Sequence, residues 1–136
     1  ADPNAVAVAQ EKLLGLLHRA LTSSNSSAAG LVAAARDVIE RSYSNPGLTV
    51  SEIAAAVGIS ERQLARAFAE QGTTVAAQVR SRRVELAQSV LIDPRYRGMS
   101  MAEIAARCGF SSQSSFSRAF REEAGLSPLQ WRKSRG

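Results

Sequence analysis

The side chains with the most chemistry to offer fall in two short runs. Arg62, Gln63, Ala65, Arg66 and Ala69 make the first; Ser112, Gln113, Ser114, Ser115, Ser117, Arg118 and Arg121 make the second. Neither run is a set for making or breaking covalent bonds. An arginine fork matches paired acceptors such as guanine O6 and N7. A glutamine amide matches adenine N6 and N7, and serine hydroxyls pair with any base or with phosphate. The chemistry on offer is recognition. The residues that could support catalysis are isolated. Cys108 is the single cysteine, and His18 stands without metal-ligand spacing around it. No glycine-rich phosphate loop or paired-carboxylate pattern stands out, so neither cofactor nor metal is expected.

The charge balance points the same way. The chain of 136 residues has 17 basic and 12 acidic residues, a formal net charge of +5. All the bases except Lys12 and Lys133 are arginines, and the excess is concentrated late: residues 93–136 hold eight bases and four acids, while residues 1–50 hold four of each. A basic C-terminal part suits a polyanionic partner, with a solvated arginine-rich face as the plainer alternative. One unpaired cysteine fits a reducing cytoplasm. No apolar run approaches the length of a membrane span and no secretory signal is evident. The opening Ala1-Asp2-Pro3-Asn4 reads as the cut end of a longer chain or a cloning remnant.

The elements that position the two runs form an internal repeat. Ser51-Glu52-Ile53-Ala54-Ala55-Ala56-Val57-Gly58-Ile59-Ser60 aligns with Ala102-Glu103-Ile104-Ala105-Ala106-Arg107-Cys108-Gly109-Phe110-Ser111. Each stretch continues into Arg-Ala-Phe (66–68 and 118–120), the second after one inserted residue, and each then reaches a glycine, Gly72 or Gly125. Each copy reads as helix, glycine turn, capped helix, which makes a helix-turn-helix. In the second copy Ser100 and Glu103 form a capping box, Gly109 ends the helix, and Ser111 or Ser112 caps the next one. Phe116, Ala119 and Phe120 recur at three- and four-residue spacing and face inward. In the first copy the start falls at Thr49 or Ser51, Ser60 caps the second helix, and Leu64 and Phe68 take the inward positions. Cys108 stands where the first copy has Val57, so it reads as a core filler.

The remaining sequence is helical too. Leu31, Ala35, Val38, Ile39 and Ser42 form a stripe ending at Asn45-Pro46-Gly47, a strong turn signal. Val75 to Leu91 forms a long helix between the copies, stopping at Asp93-Pro94. Ser127-Pro128 opens a last short helix that carries Trp131, placed to plug the base of the second copy. The expected fold is all-α: seven helices over residues 31–135, with helix-turn-helix units at about 49–71 and 100–124 joined by a long linking helix. An extra N-terminal helix is expected over residues 5–22, lined by Leu13, Leu14, Leu17 and Leu21, with a Ser/Ala/Asn-rich linker from Thr22 to Ala29. Its apolar stripe suits a homodimer seam, contact with a missing domain, or docking on the rest of this one.

Two helix-turn-helix units joined by a long helix resemble the C-terminal DNA-binding domain of the AraC/XylS family of bacterial transcription regulators. The resemblance covers residues 31–135. Its most specific part runs from Ile104-Ala105 through Gly109-Phe110-Ser111, then Phe116 to Arg121, then Gly125-Leu126-Ser127-Pro128. The first copy departs slightly, with Phe68 to Gly72 one residue shorter than in many members. The resemblance implies sequence-specific binding to double-stranded DNA by a cytoplasmic activator. It also implies contact with RNA polymerase, and a small-molecule effector sensed only through a missing domain, whose junction would be residues 1–30.

For the sites, the resemblance favours Arg62, Ala65 and Arg66 in the first recognition helix, and Gln113, Ser114, Ser117 and Arg118 in the second, as groove-facing. Arg66 and Arg118 have an alternative in phosphate contacts or salt bridges to Glu70 and Glu122. Phosphate contacts are expected from Ser60, Ser111 and Ser112 at the helix starts, from Arg83, Arg121 and Lys133, and further from Arg80, Arg82 and Arg132. Unlike recognition helices imply an asymmetric site with two boxes about one turn (~34 Å) apart. Two other readings stay open. One is a helical module that meets an acidic protein. The other is the DNA-targeting unit of an Ada-type alkyl-transfer protein, whose metal-held cysteine cluster is absent here.

Overall fold

The computed structural model describes residues 27–135, so the expected helix over 5–22 lies outside the described residues. Among those residues there are seven α-helices, one 3-10 turn and no strand. In chain order they are α1 (Ala28–Ser42), α2 (Val50–Val57), α3 (Glu61–Glu70), α4 (Val75–Ile92), the 3-10 turn Pro94–Tyr96, α5 (Met101–Arg107), α6 (Gln113–Ala124) and α7 (Pro128–Arg135).

Local chemistry explains most of these limits. Ser27 accepts the Gly30 amide at 3.2 Å, so α1 begins inside the stretch expected to be linker. Thr49, not Ser51, caps α2 by accepting the Glu52 amide at 3.1 Å. Thr74 caps α4 through the Ala77 amide at 3.0 Å. Asp93 ends α4 and turns the chain, its carboxylate accepting the Arg95 amide at 2.9 Å. At α5 the Ser100 hydroxyl accepts the Glu103 amide and itself donates to the Glu103 carboxylate, both at 3.1 Å. This cap therefore closes through the hydroxyl rather than through the backbone of Ser100. Ser127 and Gln130 form a reciprocal box at the start of α7.

The buried side chains separate into two cores. Val32, Ala35, Ile39, Ile53, Ala54, Leu64, Ala67 and Phe68 fill the first, between α1, α2 and α3. Ile104, Ala105, Cys108, Phe110, Phe116, Ala119 and Phe120 fill the second, between α5 and α6. Helix α4 serves both: Val75 and Val79 enter the first core, and Val84, Ala87, Val90 and Leu91 enter the second. At 3.6 residues per turn these two stripes are rotated by roughly 110° about the helix axis. One helix thus presents a different face to each half. In the second core Phe110, Phe116, Phe120 and Trp131 follow one another with ring centroids 5.3, 5.8 and 5.8 Å apart, and the Trp131 indole donates to the Gln88 carbonyl at 3.2 Å. Trp131 plugs the base of the second unit as expected.

The two turn glycines are not equivalent. Gly58 and Gly109 both have positive φ, +87° and +96°. A Cβ on Gly58 would meet nothing within 4 Å. A Cβ on Gly109 would lie 2.5 Å from the Tyr43 carbonyl and 2.8 Å from Arg83 Nε. The first glycine is required by its dihedral alone. The second is also required by the close approach of the first half of the molecule.

Candidate nucleic-acid interface

In both recognition helices the buried positions dictate the outward ones. Leu64, Ala67 and Phe68 of α3 are buried, which leaves Arg62, Ala65, Arg66 and Ala69 exposed. Phe116, Ala119 and Phe120 of α6 are buried, which leaves Gln113, Ser114, Arg118 and Arg121 exposed and Ser117 half-buried. The proposed base-reading residues of each unit therefore share one face with one another.

The caps fix the register between the units. The Ser60 hydroxyl accepts the Gln63 amide at 3.1 Å, and the Gln63 side chain accepts the Ser60 amide at 2.9 Å. Ser112 plays the same part in α6, its hydroxyl accepting the Ser115 amide at 3.0 Å. Ser111 sits in the turn and caps nothing. The inserted residue of the second repeat thus lies in its turn, Gly109 to Ser112, against Gly58 to Ser60 in the first. Matching the caps pairs Glu61 with Gln113, Arg62 with Ser114, Ala65 with Ser117 and Arg66 with Arg118. The Gln63 carbonyl oxygen is engaged in capping, which leaves only its NH2 group to offer outward.

Cations on the recognition helices have no carboxylate partner among the described residues. The ion pairs there are Arg80–Glu123, Arg82–Glu40, Arg82–Glu85 and Arg95–Asp93. Arg66 is not bridged to Glu70, nor Arg118 to Glu122. Arg62 and Arg121 are likewise free of acids. Lys133 is exposed near the C-terminal end of α7.

Several residues expected to hold phosphate are engaged inside the protein. Arg83 is the plainest case. Its Nε donates to the Tyr43 carbonyl at 2.7 Å and its Nη2 to the Asn45 carbonyl at 3.0 Å. Burial lowers its pKa from the usual arginine value, although a guanidinium remains charged. Arg132 likewise donates to the Leu91 and Tyr96 carbonyls. Arg82 makes a two-pronged contact with Glu40, both bonds 2.7 Å, touches Glu85 and lies 4.8 Å above the Tyr43 ring. The hydrogen bond from Arg82 holds the Glu40 carboxyl below its usual range, and the same bond raises the pKa of Arg82. Arg80 and Ser81 both donate to Glu123, tying α4 to α6. Apart from Glu85, three residues from Arg82, the partners lie about 40 residues away, so local sequence carries no sign of them.

Sequence reasoning also missed a groove of about 400 Å³ between the two units. Its walls include Leu48 and Val50 from the first unit and Ser115 and Arg118 from the second, with Val75 and Arg83 of α4 between them. The outward face of α6 therefore continues into the seam between the halves. The one thiol is no nucleophile: Cys108 is fully buried, and burial pushes its pKa up to about 11.

A family model described as a helix-turn-helix domain matches residues 53–134. The chain is 38% identical over 96 residues to the transcriptional activator NphR of Rhodococcus sp, covering 71% of this chain and 28% of that protein. It is 31% identical over 93 residues to the xylose operon regulatory protein of Escherichia coli K12, covering 68% and 23%. The chain thus spans less than a third of these curated relatives. Among solved structures it resembles the DNA-binding domain of AdpA in complex with a target DNA, with TM-score 0.62, 30% identity, and 79% and 90% of the two chains covered. It also resembles a Chromobacterium violaceum transcriptional regulator with an AraC-type DNA-binding domain, with TM-score 0.66, 29% identity, and 76% and 90% covered.

Proposed function

Because this chain belongs to the AraC-type helix-turn-helix family of DNA-binding transcription regulators, which are not enzymes, we propose that it reads an asymmetric two-box DNA site with one recognition helix in each box. The observation that carries this reading is the pair of serine-capped helices, α3 and α6, whose outward faces bear guanidinium groups without acid partners among the described residues but different side chains. In one box Arg62 and Arg66 pair with guanine edges and Ala65 leaves room for a thymine methyl. In the other Gln113 pairs with adenine, Arg118 with guanine, and Ser114 and Ser117 supply less selective bonds. Phosphates are held by the amide-rich helix starts at Ser60 and Ser112, by the Ser111 hydroxyl, and by Arg121 and Lys133.

The relatives named as transcriptional activators support activation as the outcome, and the AdpA structure supports duplex DNA as the partner. Contact with RNA polymerase, effector sensing and dimerisation belong to the whole regulator, in the cytoplasm, with residues 1–30 as the junction to its regulatory part. No helix among the described residues is long and apolar enough to cross a membrane.

Selection from a random DNA pool tests the reading. Enrichment of one asymmetric site with two boxes about a turn apart (~34 Å) supports it. Enrichment of a single box assigns the other unit to phosphate holding alone. Binding that merely fades with salt, without enrichment, refutes sequence-specific reading by this domain.

A further inference from the structure

Arg83 joins three segments that sequence separates widely. It leaves the middle of α4, between the two stripes that feed the two cores. Its guanidinium donates to the carbonyls of Tyr43 and Asn45, just beyond α1 in the first half. Gly109, in the turn of the second half, packs against that same Tyr43 carbonyl and Arg83 Nε so closely that no Cβ fits. The other side-chain ties of α4 described above are the ion pairs Arg82–Glu40 and Arg80–Glu123 and the Ser81–Glu123 hydrogen bond, exposed contacts that solvent weakens. The Arg83 contact differs in kind, being partly buried and made by a planar fork to two fixed backbone acceptors. Turn Gly109-Phe110-Ser111-Ser112 leads directly into α6. Whatever holds Gly109 against Tyr43 therefore also sets where α6 begins relative to the first unit.

We propose that Arg83 is a positioning residue for DNA reading: with Gly109 and the Tyr43 carbonyl it forms a brace that fixes the distance and rotation between the two recognition helices, and so the box spacing the protein accepts. This rests on the two-box reading above. One base pair added between boxes moves them about 3.4 Å apart and turns them by roughly 34°. A braced pair of helices penalises that change, and a loosened pair adapts to it.

The repeat supplies a control. Gly58→Ala introduces the same dihedral strain in the first unit, where no neighbour stands in the way. Gly109→Ala adds a collision between the halves. Arg83→Lys keeps the charge but cannot span two carbonyls with a planar fork. If Arg83 merely held phosphate, lysine would largely replace it.

The experiment measures affinity for a set of two-box sites whose spacing varies by single base pairs, and for each box alone. For Arg83→Lys and Gly109→Ala, the preference for the best spacing over its neighbours should fall by about fivefold, within the range for residues coupled through a shared contact. Single-box affinities should stay within about twofold, as should the spacing profile of Gly58→Ala. An unchanged spacing profile with a uniform loss of affinity in Arg83→Lys overturns the brace.

A DNA-free measurement separates this inference from the reading it rests on. Spin labels at Ala69→Cys in α3 and Glu122→Cys in α6, with Cys108 buried, report the spread of distances between the helices. Arg83→Lys should broaden that spread, and an unchanged spread overturns the brace. Broadening in Arg83→Lys, with a parent protein indifferent to spacing, leaves the brace standing and removes the two-box reading instead.

Discussion

Ser60 and Ser112 hold the same place in their units, each hydroxyl accepting the backbone amide three residues on, at 3.1 and 3.0 Å. That correspondence, and not the run of repeated letters, decides which side chains of α3 and α6 stand at equivalent heights. It sets Arg62 against Ser114 and Glu61 against Gln113, so the two helices offer different bonds from matching positions.

The first prediction follows from that register. Arg62→Ala should cost about 1–3 kcal/mol on the preferred site and relax selectivity in one box only, with Gln113→Ala doing the same in the other. Arg121→Ala should instead weaken all sequences alike and reduce the salt slope by about 1. Fluorescence anisotropy on sites mutated box by box, at several salt concentrations, distinguishes the two patterns. A box-specific effect from Arg121→Ala would move that residue out of the phosphate set.

A second concerns the caps. Ser60→Ala and Ser112→Ala should each destabilise the fold by about 1 kcal/mol in urea unfolding. Ser111→Ala should stay within about 0.5 kcal/mol, since its hydroxyl caps no helix. Equal losses at Ser111 and Ser112 would contradict the register.

The third uses the buried thiol. Its pKa is raised to about 11 from an ordinary 9.0, with burial as the main cause and the nearby Arg107 opposing it. The unfolded chain therefore ionises first. The stabilisation is complete below about pH 9 and is lost as pH rises toward 11. Cys108→Val, which copies Val57 of the first unit, should remove that part of the alkaline decline. Thiol titration of the native protein near neutral pH should find almost no reaction until denaturant is added.

The fourth tests the second core. Phe120 is fully buried and lies edge-on to both Phe116 and Trp131, with centroids 5.8 Å away in each case. Phe120→Ala should cost about 3–5 kcal/mol. Leu129, half exposed, should tolerate alanine within about 0.5 kcal/mol. Thermal or urea unfolding checks both.

Much of this was legible from spacing alone. Phe116, Ala119 and Phe120 declared the inward face of α6, Gly58 and Gly109 marked the turns, and Asp93-Pro94 marked the end of α4. Such signals are local, set by helical periodicity, capping and dihedral preference. What sequence did not disclose depends on partners far along the chain. Nothing near Arg83 announces that its fork meets two carbonyls some 40 residues earlier, or that Arg132 meets those of Leu91 and Tyr96. Charge counts treat both arginines like Arg62, although both are engaged within the fold. The choice between Ser111 and Ser112 was open for a different reason: either serine can cap, and only the length of the turn decides.

Helix α4 gives each core its own face, one stripe turned roughly 110° from the other. The outward residues of α3 and α6 are rooted in separate packings. A substitution of Arg62 or Arg66 in one reading head shares no buried core with Gln113 or Ser114 in the other, so its effect on stability should add to, rather than interact with, changes made there. Heredity can therefore revise half of the recognised sequence while the other half is kept.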